Sequence, residues 1–169
     1  FDSPGPIATD HVDLFAGRDV APGFFAWVVP RGEHEGLLGL ASEPGGMHPK
    51  ERLEAFLASG PVREVLPGIQ VTAHHAGAIP LGPVHGPVAD RVVLVGDAAA
   101  QAKATSGGGV YPALVAARHA AAALVRAHEQ GDLSESNLMP YPRGFDEELG
   151  GELARAARLR RSFRAMSDR

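Results

Sequence analysis

The 169-residue sequence contains no cysteine. That absence removes disulfides, thiolate nucleophiles and cysteine-ligated metals together. Aromatic residues are scarce, at 6%, so a place where several fall together carries information. No apolar run approaches the ~20 residues that a bilayer-spanning helix requires. No GxGxxG occurs, and the acidic residue that would follow it to hold a ribose is missing too. The eight histidines never form HExxH or another tight ligand spacing. His74 and His75 would point to opposite faces of a strand, so no metal site is expected. The first residues, FDSPGPIATD, hold no Met, basic segment or apolar segment. They do not read as a signal peptide, and they lead us to expect a portion of a longer chain.

What is present describes a folded body. Hydrophobic residues make up 44% and charged ones 21%, a balance that suits a globular core. A net charge of −4 gives no whole-chain reason to expect a nucleic-acid partner.

The first half reads as antiparallel strands with a helix. HVDLF (11–15) alternates as a half-buried strand does. FFAWVV (24–29) is aromatic and β-branched and stops at Pro30; GLLGLAS (36–42) follows a polar turn as its partner. Gly36 and Gly39 inside that strand signal a bulge or a close approach by another group. PKERLEAFLAS (49–59) spaces Leu53, Phe56 and Leu57 as an amphipathic helix that Gly60-Pro61 ends. VREVLPG is expected to add a short helical turn, and IQVTAHHAGAI (69–79) to be extended.

The second half changes character. RVVLVGD (91–97) is a continuous apolar run, as expected of a strand buried on both faces. Residues 110–130 are dense in Ala and Leu and predict a helix, with Pro112 in its first turn. A last helix is expected over 141–166, broken near Gly150-Gly151. Only one strand–turn–helix unit is present, so the chain does not contain a complete doubly wound domain.

The stretch RVVLVGDAAAQAKATSGGGVYPALV (91–115) holds the most chemistry. Asp97 sits at a strand's end, where open α/β sheets bind ligands, and its carboxylate accepts hydrogen bonds from hydroxyls. Gly107, Gly108 and Gly109 precede a helix whose first N–H groups favour negative charge. Without Cβ atoms, a flat or phosphorylated ligand can touch that backbone. A simple helix cap with a tight turn accounts for the same residues about equally well.

GDAA (96–99) followed by TSGGGVYPAL (105–114) closely resembles the second FAD-binding motif of the geranylgeranyl reductase family. PGFFAWVVP (22–30), with Gly39 downstream, is similar to that family's substrate pattern PxxYxWxFP. AGAIPLGP (76–83) and the tail LMPYPRGFDEELGGELARAARLRR extend the likeness over most of the chain. Four positions depart from the family's usual pattern. Ala100 replaces a Gly and Ala104 a Pro, while Phe25 stands for Tyr and Val29 for Phe.

The resemblance implies an α+β chain: an antiparallel substrate-domain sheet (1–85), a strand–GD–GGG–helix element of a partial Rossmann-like FAD/NAD(P)-binding fold (86–131), and C-terminal helices (132–169). The N-terminal βαβ dinucleotide half would lie elsewhere. It implies FAD held by Gly96, Asp97, Ala98, Thr105, Gly107, Gly108, Gly109 and Val110, with the ribityl hydroxyls on Asp97. It implies a prenyl-chain substrate along Phe25, Trp27 and Pro30, no metal, and NADPH or another reductant as electron donor. The implied activity is saturation of isoprenoid C=C bonds, with no residue assigned as proton donor. An FAD-dependent monooxygenase or halogenase shares the GD motif and is the enzymatic alternative. A truncated chain that binds no flavin alone is the other. The arginine-rich segment 152–169 is expected either to pack on the missing N-terminal half or to touch an anionic membrane from the cytoplasmic side.

Overall fold

A computed structural model describes residues 1–82 and 86–165. The described chain is α+β and divides into two compact units, the first covering Phe1–Ala76 and the second beginning at Gly77.

In the first unit, β1 (Asp13–Ala16), β2 (Phe25–Pro30) and β3 (Gly36–Leu40) form an antiparallel sheet in that order. Trp27 is the register point, opposite Leu14 on one side and Gly39 on the other. Alternation sends Ala26 and Val28 to one face, where both are buried against Phe56, Val62 and Leu66. Phe56 belongs to α1 (Pro49–Ala58) and Val62 to α2 (Gly60–Val65). Phe15 meets Phe56 edge to face, with ring centroids 5.2 Å apart. A capping box between His48 and Glu51 starts α1, with Pro49 in the first turn.

Gly60-Pro61 does more than end α1. It opens α2, because proline suits a first helical turn whose N–H would be unbonded anyway. The glycines of β3 mark close approaches. A Cβ on Gly39 would lie 2.7 Å from the Trp27 ring, and one on Gly36 would lie 2.7 Å from the Phe1 ring. Residues 71–80 do not extend the sheet. Gln70 pairs with Asp2 through two 2.9 Å backbone bonds, and every residue from 71 to 80 is exposed. An apolar–polar alternation needs a face to cover it, and this segment has none among the described residues.

In the second unit, β4 (Val88–Ala89) and β5 (Val92–Val93) make a minimal antiparallel hairpin. A 3₁₀ turn over Gly96–Ala99 follows, then α3 (Val110–Glu129), α4 (Glu135–Leu138) and α5 (Pro140–Phe145). A π-helical turn, Asp146–Gly150, leads directly into α6 (Gly151–Ala165). Ala116, Ala120, Ala123 and Ala127 line the buried side of α3 and let Leu138, Tyr141, Phe145 and Leu149 pack closely. The expected break near Gly150-Gly151 is therefore a π-turn inside a continuing helix. The expected helix end at Met166 lies outside the described residues, as does Pro83.

RVVLVGD departs from expectation. Val92 is 47% exposed and the hairpin is its only pairing among the described residues. Burial on both faces needs strands on either edge and a covering layer on each side; among the described residues only β4 pairs with the run, and only the helical core covers it, at Val93 and Val95.

Candidate functional site

The Gly96–Ala99 turn and the start of α3 meet at one point. Asp97, Gly107, Gly109, Val110 and Ala113 line a cleft of about 430 Å³. Asp97 itself is exposed. A Cβ on Gly109 would lie 3.1 Å from the Asp97 carboxylate oxygen Oδ1, so only glycine leaves the carboxylate its present place unmoved. Gly107 has φ +69°, a conformation that side-chain-bearing residues rarely adopt. Local hydrogen bonds shape the loop before the helix. The Lys103 carbonyl accepts from Gly107 N at 2.8 Å, and Lys103 N donates to the Gly108 carbonyl at 3.0 Å. No side chain caps α3, so its first N–H groups are left for a ligand or water.

The residues singled out from sequence thus divide. Asp97, Gly107, Gly109 and Val110 come together around the cleft. Gly96 shapes the turn at φ +66°. Gly108 accepts the Lys103 N–H, and its own N–H donates to Ser106 Oγ at 3.2 Å. Ala98 is exposed and Thr105 half-buried, and neither lines the cleft. Ala113, not singled out, does line it.

Behind the loop lie side chains that the sequence reading passed over. Gln101 is 5% exposed and Tyr141 fully buried. Gly96 N donates to Gln101 Oε1 at 2.7 Å, Gln101 Nε2 donates to Tyr141 Oη at 2.8 Å, and that hydroxyl donates to the Leu94 carbonyl at 2.7 Å. Burial, opposed in part by the Gln101 hydrogen bond, pushes the Tyr141 hydroxyl above its ordinary pKa. The available signal was the one amide in AAAQAKA, a polar side chain in an alanine run.

Helix α6 also reaches this loop. Lys103 Nζ is 2.5 Å from Glu152 Oε1 and 5.7 Å from the Tyr111 ring centroid. Arg160 Nη1 donates to the Ala104 carbonyl at 3.0 Å. Lys103 is therefore paired within the chain, and α6 holds residues 103–104 through Glu152 and Arg160. Further along α3, Glu148 in the π-turn accepts from Arg118 and lies 2.8 Å from His119 Nε2. The His119 hydrogen bond holds the Glu148 carboxyl below its ordinary pKa.

In the first unit, Phe25 and Trp27 lie on the sheet face opposite Ala26 and Val28, with ring centroids 5.9 Å apart. Leu14 and Leu37 flank them at 67% and 52% exposure. Pro30 ends β2, half-buried, opposite Gly36. These aromatics are not the helix-covered core of the sheet. Their face is an apolar surface in its own right.

Comparison with known proteins bears on both regions. No family model matches the chain. The digeranylgeranylglycerophospholipid reductase of Methanothrix thermoacetophila is 33% identical over 168 residues, covering 96% of this chain and 41% of that protein. Digeranylgeranylglycerophospholipid reductase 1 of Methanopyrus kandleri is 36% identical over 130 residues, covering 76% and 35%. The crystal structure of a geranylgeranyl bacteriochlorophyll reductase-like protein from Thermoplasma acidophilum superposes with a TM-score of 0.81 at 26% identity, over 98% of this chain and 42% of that one. The chain resembles geranylgeranyl reductases. The likeness runs through both units, as the GDAA, TSGGG and FFAWVVP stretches led us to expect. The chain spans about two fifths of the length of these reductases. Among the described residues, no helix is long and apolar enough to cross a membrane, and no three His, Asp or Glu side chains cluster as a metal site.

Proposed function

We propose that the chain is the C-terminal portion of an FAD-dependent oxidoreductase that saturates C=C bonds of isoprenoid chains. The observation that carries this reading is the cleft between Asp97 and the start of α3, kept open by the missing Cβ of Gly109. A bare carboxylate, bare backbone and an uncapped helix start suit a cofactor with hydroxyls and an electron-accepting ring. The similarity to reductases of geranylgeranyl lipids supports FAD as that cofactor. In this reading the cleft is part of a Rossmann-like FAD domain whose dinucleotide half belongs to the remainder of the longer protein.

Asp97 accepts hydrogen bonds from the ribityl hydroxyls. The backbone of Gly107, Gly108 and Gly109 lies against the pyrimidine edge of the flavin, with Gly96, Ala98 and Thr105 shaping the approach. The N-terminus of α3 at Val110 holds the negative charge that a reduced flavin carries near N1 and O2, and it needs no reorganisation to do so. When reduced by NADPH or another donor, the flavin would supply hydride to one carbon of the C=C bond, and a proton from a separate donor would complete the saturation at the other. Phe25, Trp27 and Pro30, with Leu14 and Leu37 beside them, offer the apolar surface that a prenyl chain requires. Exposed Leu159 and Phe163, on the same helix α6 as exposed Arg155, Arg158 and Arg161, suit peripheral contact with an anionic membrane carrying such lipids.

The test uses an N-terminally extended form of the protein. It should purify with, or take up, a flavin absorbing near ~450 nm, and it should reduce a geranylgeranyl lipid when supplied with electrons. A protein that stays colourless after reconstitution overturns the flavoenzyme reading, and oxygen consumption with a hydroxylated product would instead favour a monooxygenase. Asp97→Ala should weaken FAD binding by roughly tenfold or more, as expected for loss of a charge-assisted hydrogen bond. Undiminished affinity would remove the ribityl role from Asp97.

A further inference from the structure

Two side chains behind the cleft have no place in the reading above, although both are polar and buried. A glutamine amide offers one acceptor and two donors, and burying it is costly unless they are used. Gln101 spends both ends on a single short path, Gly96 N–H to Oε1 at 2.7 Å and Nε2 to Tyr141 Oη at 2.8 Å. Tyr141, reaching in from α5, closes the path on the Leu94 carbonyl at 2.7 Å. The backbone adds Gln101 N to the Gly96 carbonyl at 3.1 Å and Ala100 N to the Asp97 carbonyl at 2.9 Å. Residues 94 and 96 are thus tied to one amide and one phenol, and Asp97 follows immediately.

The consequence is geometric. Gly96 holds φ +66° while its N–H is engaged, and that conformation sets the direction in which Asp97 leaves the turn. Its carboxylate oxygen ends where a Gly109 Cβ would be 3.1 Å away, against the start of α3. A modest rotation at Gly96 would move it away from the cleft. We infer that Gln101 and Tyr141 are positioning residues for Asp97: their bridge from Gly96 N–H to the Leu94 carbonyl fixes the turn that presents the carboxylate to the cleft. This rests on the ligand-binding reading of that cleft. The rival account is that the bridge only stabilises the helical core.

Two sets of measurements separate these accounts, and they also separate this inference from the proposed function. In the 169-residue chain, Gln101→Leu keeps the volume and removes both hydrogen bonds; Tyr141→Phe removes only the hydroxyl. Amide hydrogen exchange at Gly96 should accelerate at least roughly tenfold in Gln101→Leu, and the Asp97 and Gly109 amide resonances should shift in both variants. Gln101→Glu gives a pH signature. A protonated carboxyl reproduces the acceptor and the donor of the amide, and burial raises its pKa. Ionisation leaves the acceptor for Gly96 N–H but removes the donor to Tyr141, so the Asp97 and Gly109 amide resonances should match the unsubstituted chain in mild acid and move, as in Gln101→Leu, as pH rises through that raised value. A merely structural contact has no reason to follow this profile.

In the N-terminally extended form, Gln101→Leu should raise the Kd for FAD by about tenfold. Leu138→Ala, in the same core but with no part in the Gln101–Tyr141 bridge, serves as a control for lost stability. It should lower Tm by a comparable amount and leave the FAD Kd unchanged at a temperature where both variants are folded. Unaltered Gly96 exchange in Gln101→Leu overturns the inference, as does an equal loss of FAD affinity in Leu138→Ala. If the unsubstituted extended protein binds no FAD, the proposed function fails, whereas the exchange and pH measurements still decide whether Gln101 fixes the turn.

Discussion

The β2 face and the Gly96–Gly109 loop offer a ligand opposite kinds of surface. On the sheet, Phe25 and Trp27 present large rings, flanked by Leu14 and Leu37, and the backbone is hidden in the ladder. On the loop, side chains are nearly absent and the backbone itself faces the cleft, with one carboxylate beside it. A surface of large side chains yields by small adjustments, because rotamers and neighbours share the change. A surface of bare backbone has no such reserve. An added Cβ there occupies the very space in which the ligand would lie.

The largest expected effect breaks the loop while sparing the helix. Gly109→Val introduces a branched side chain where even a Cβ would lie 3.1 Å from Asp97 Oδ1. Gly109 has φ −107°, which valine accepts, so backbone strain is not the cause. FAD binding by the extended form should fall on the order of a hundredfold, since both the carboxylate position and the cleft volume are lost. Equilibrium titration of flavin fluorescence measures it. A loss under threefold would mean that the cleft is not where the cofactor lies.

The comparison also explains what could be read from the sequence. The sheet was legible because its strands alternate and its turns carry Gly, Asp and Pro. Gly36 and Gly39 could be flagged as close approaches, although Phe1 and Trp27 could not be named as the groups approaching. The motif residues were legible as a group, since a carboxylate and three glycines before a helix leave few readings. Gln101 and Tyr141 were not, because their partnership spans 40 residues of sequence and neither has a periodic neighbour to mark it. RVVLVGD misled for a related reason. An apolar run reports that a segment prefers burial, but what buries it must come from elsewhere in the protein. The same holds for α3, whose second apolar side leaves Val110, Leu114 and Val125 more than half exposed.

A smaller effect tests the sheet's tolerance directly. Gly39→Ala would set a Cβ 2.7 Å from Trp27 Cζ2, so the indole must tilt off the strand. Trp27 is only half-buried, so its ring has room to tilt. The expected cost is about 1–2 kcal/mol of stability, within the range for overpacking, measured by urea unfolding of the chain. FAD affinity of the extended form should stay unchanged. A cost above about 4 kcal/mol, outside the usual range for one substitution, would show the aromatic face to be as unyielding as the loop.

The smallest effect concerns the loop's own departure from the family pattern. Ala100 ends the Gly96–Ala99 turn at φ +50°, a left-handed conformation. In an L-residue that conformation brings Cβ close to the following carbonyl and costs roughly 1–2 kcal/mol. Glycine, usual at this position in the resembled motif, pays no such penalty, but it loses more backbone entropy on folding, roughly 0.5–1 kcal/mol. The two terms nearly cancel, with the strain term slightly larger, so Ala100→Gly should stabilise the chain by about 0.5–1 kcal/mol. Ala100 does not line the cleft, and its N–H already bonds the Asp97 carbonyl at 2.9 Å. Glycine keeps that bond. Thermal unfolding should therefore shift upward by a few degrees while FAD affinity stays within twofold. A stabilisation accompanied by weaker flavin binding would mean that the strained alanine helps to hold Asp97 in place, and would extend the positioning role of Gln101 and Tyr141 to the end of the turn.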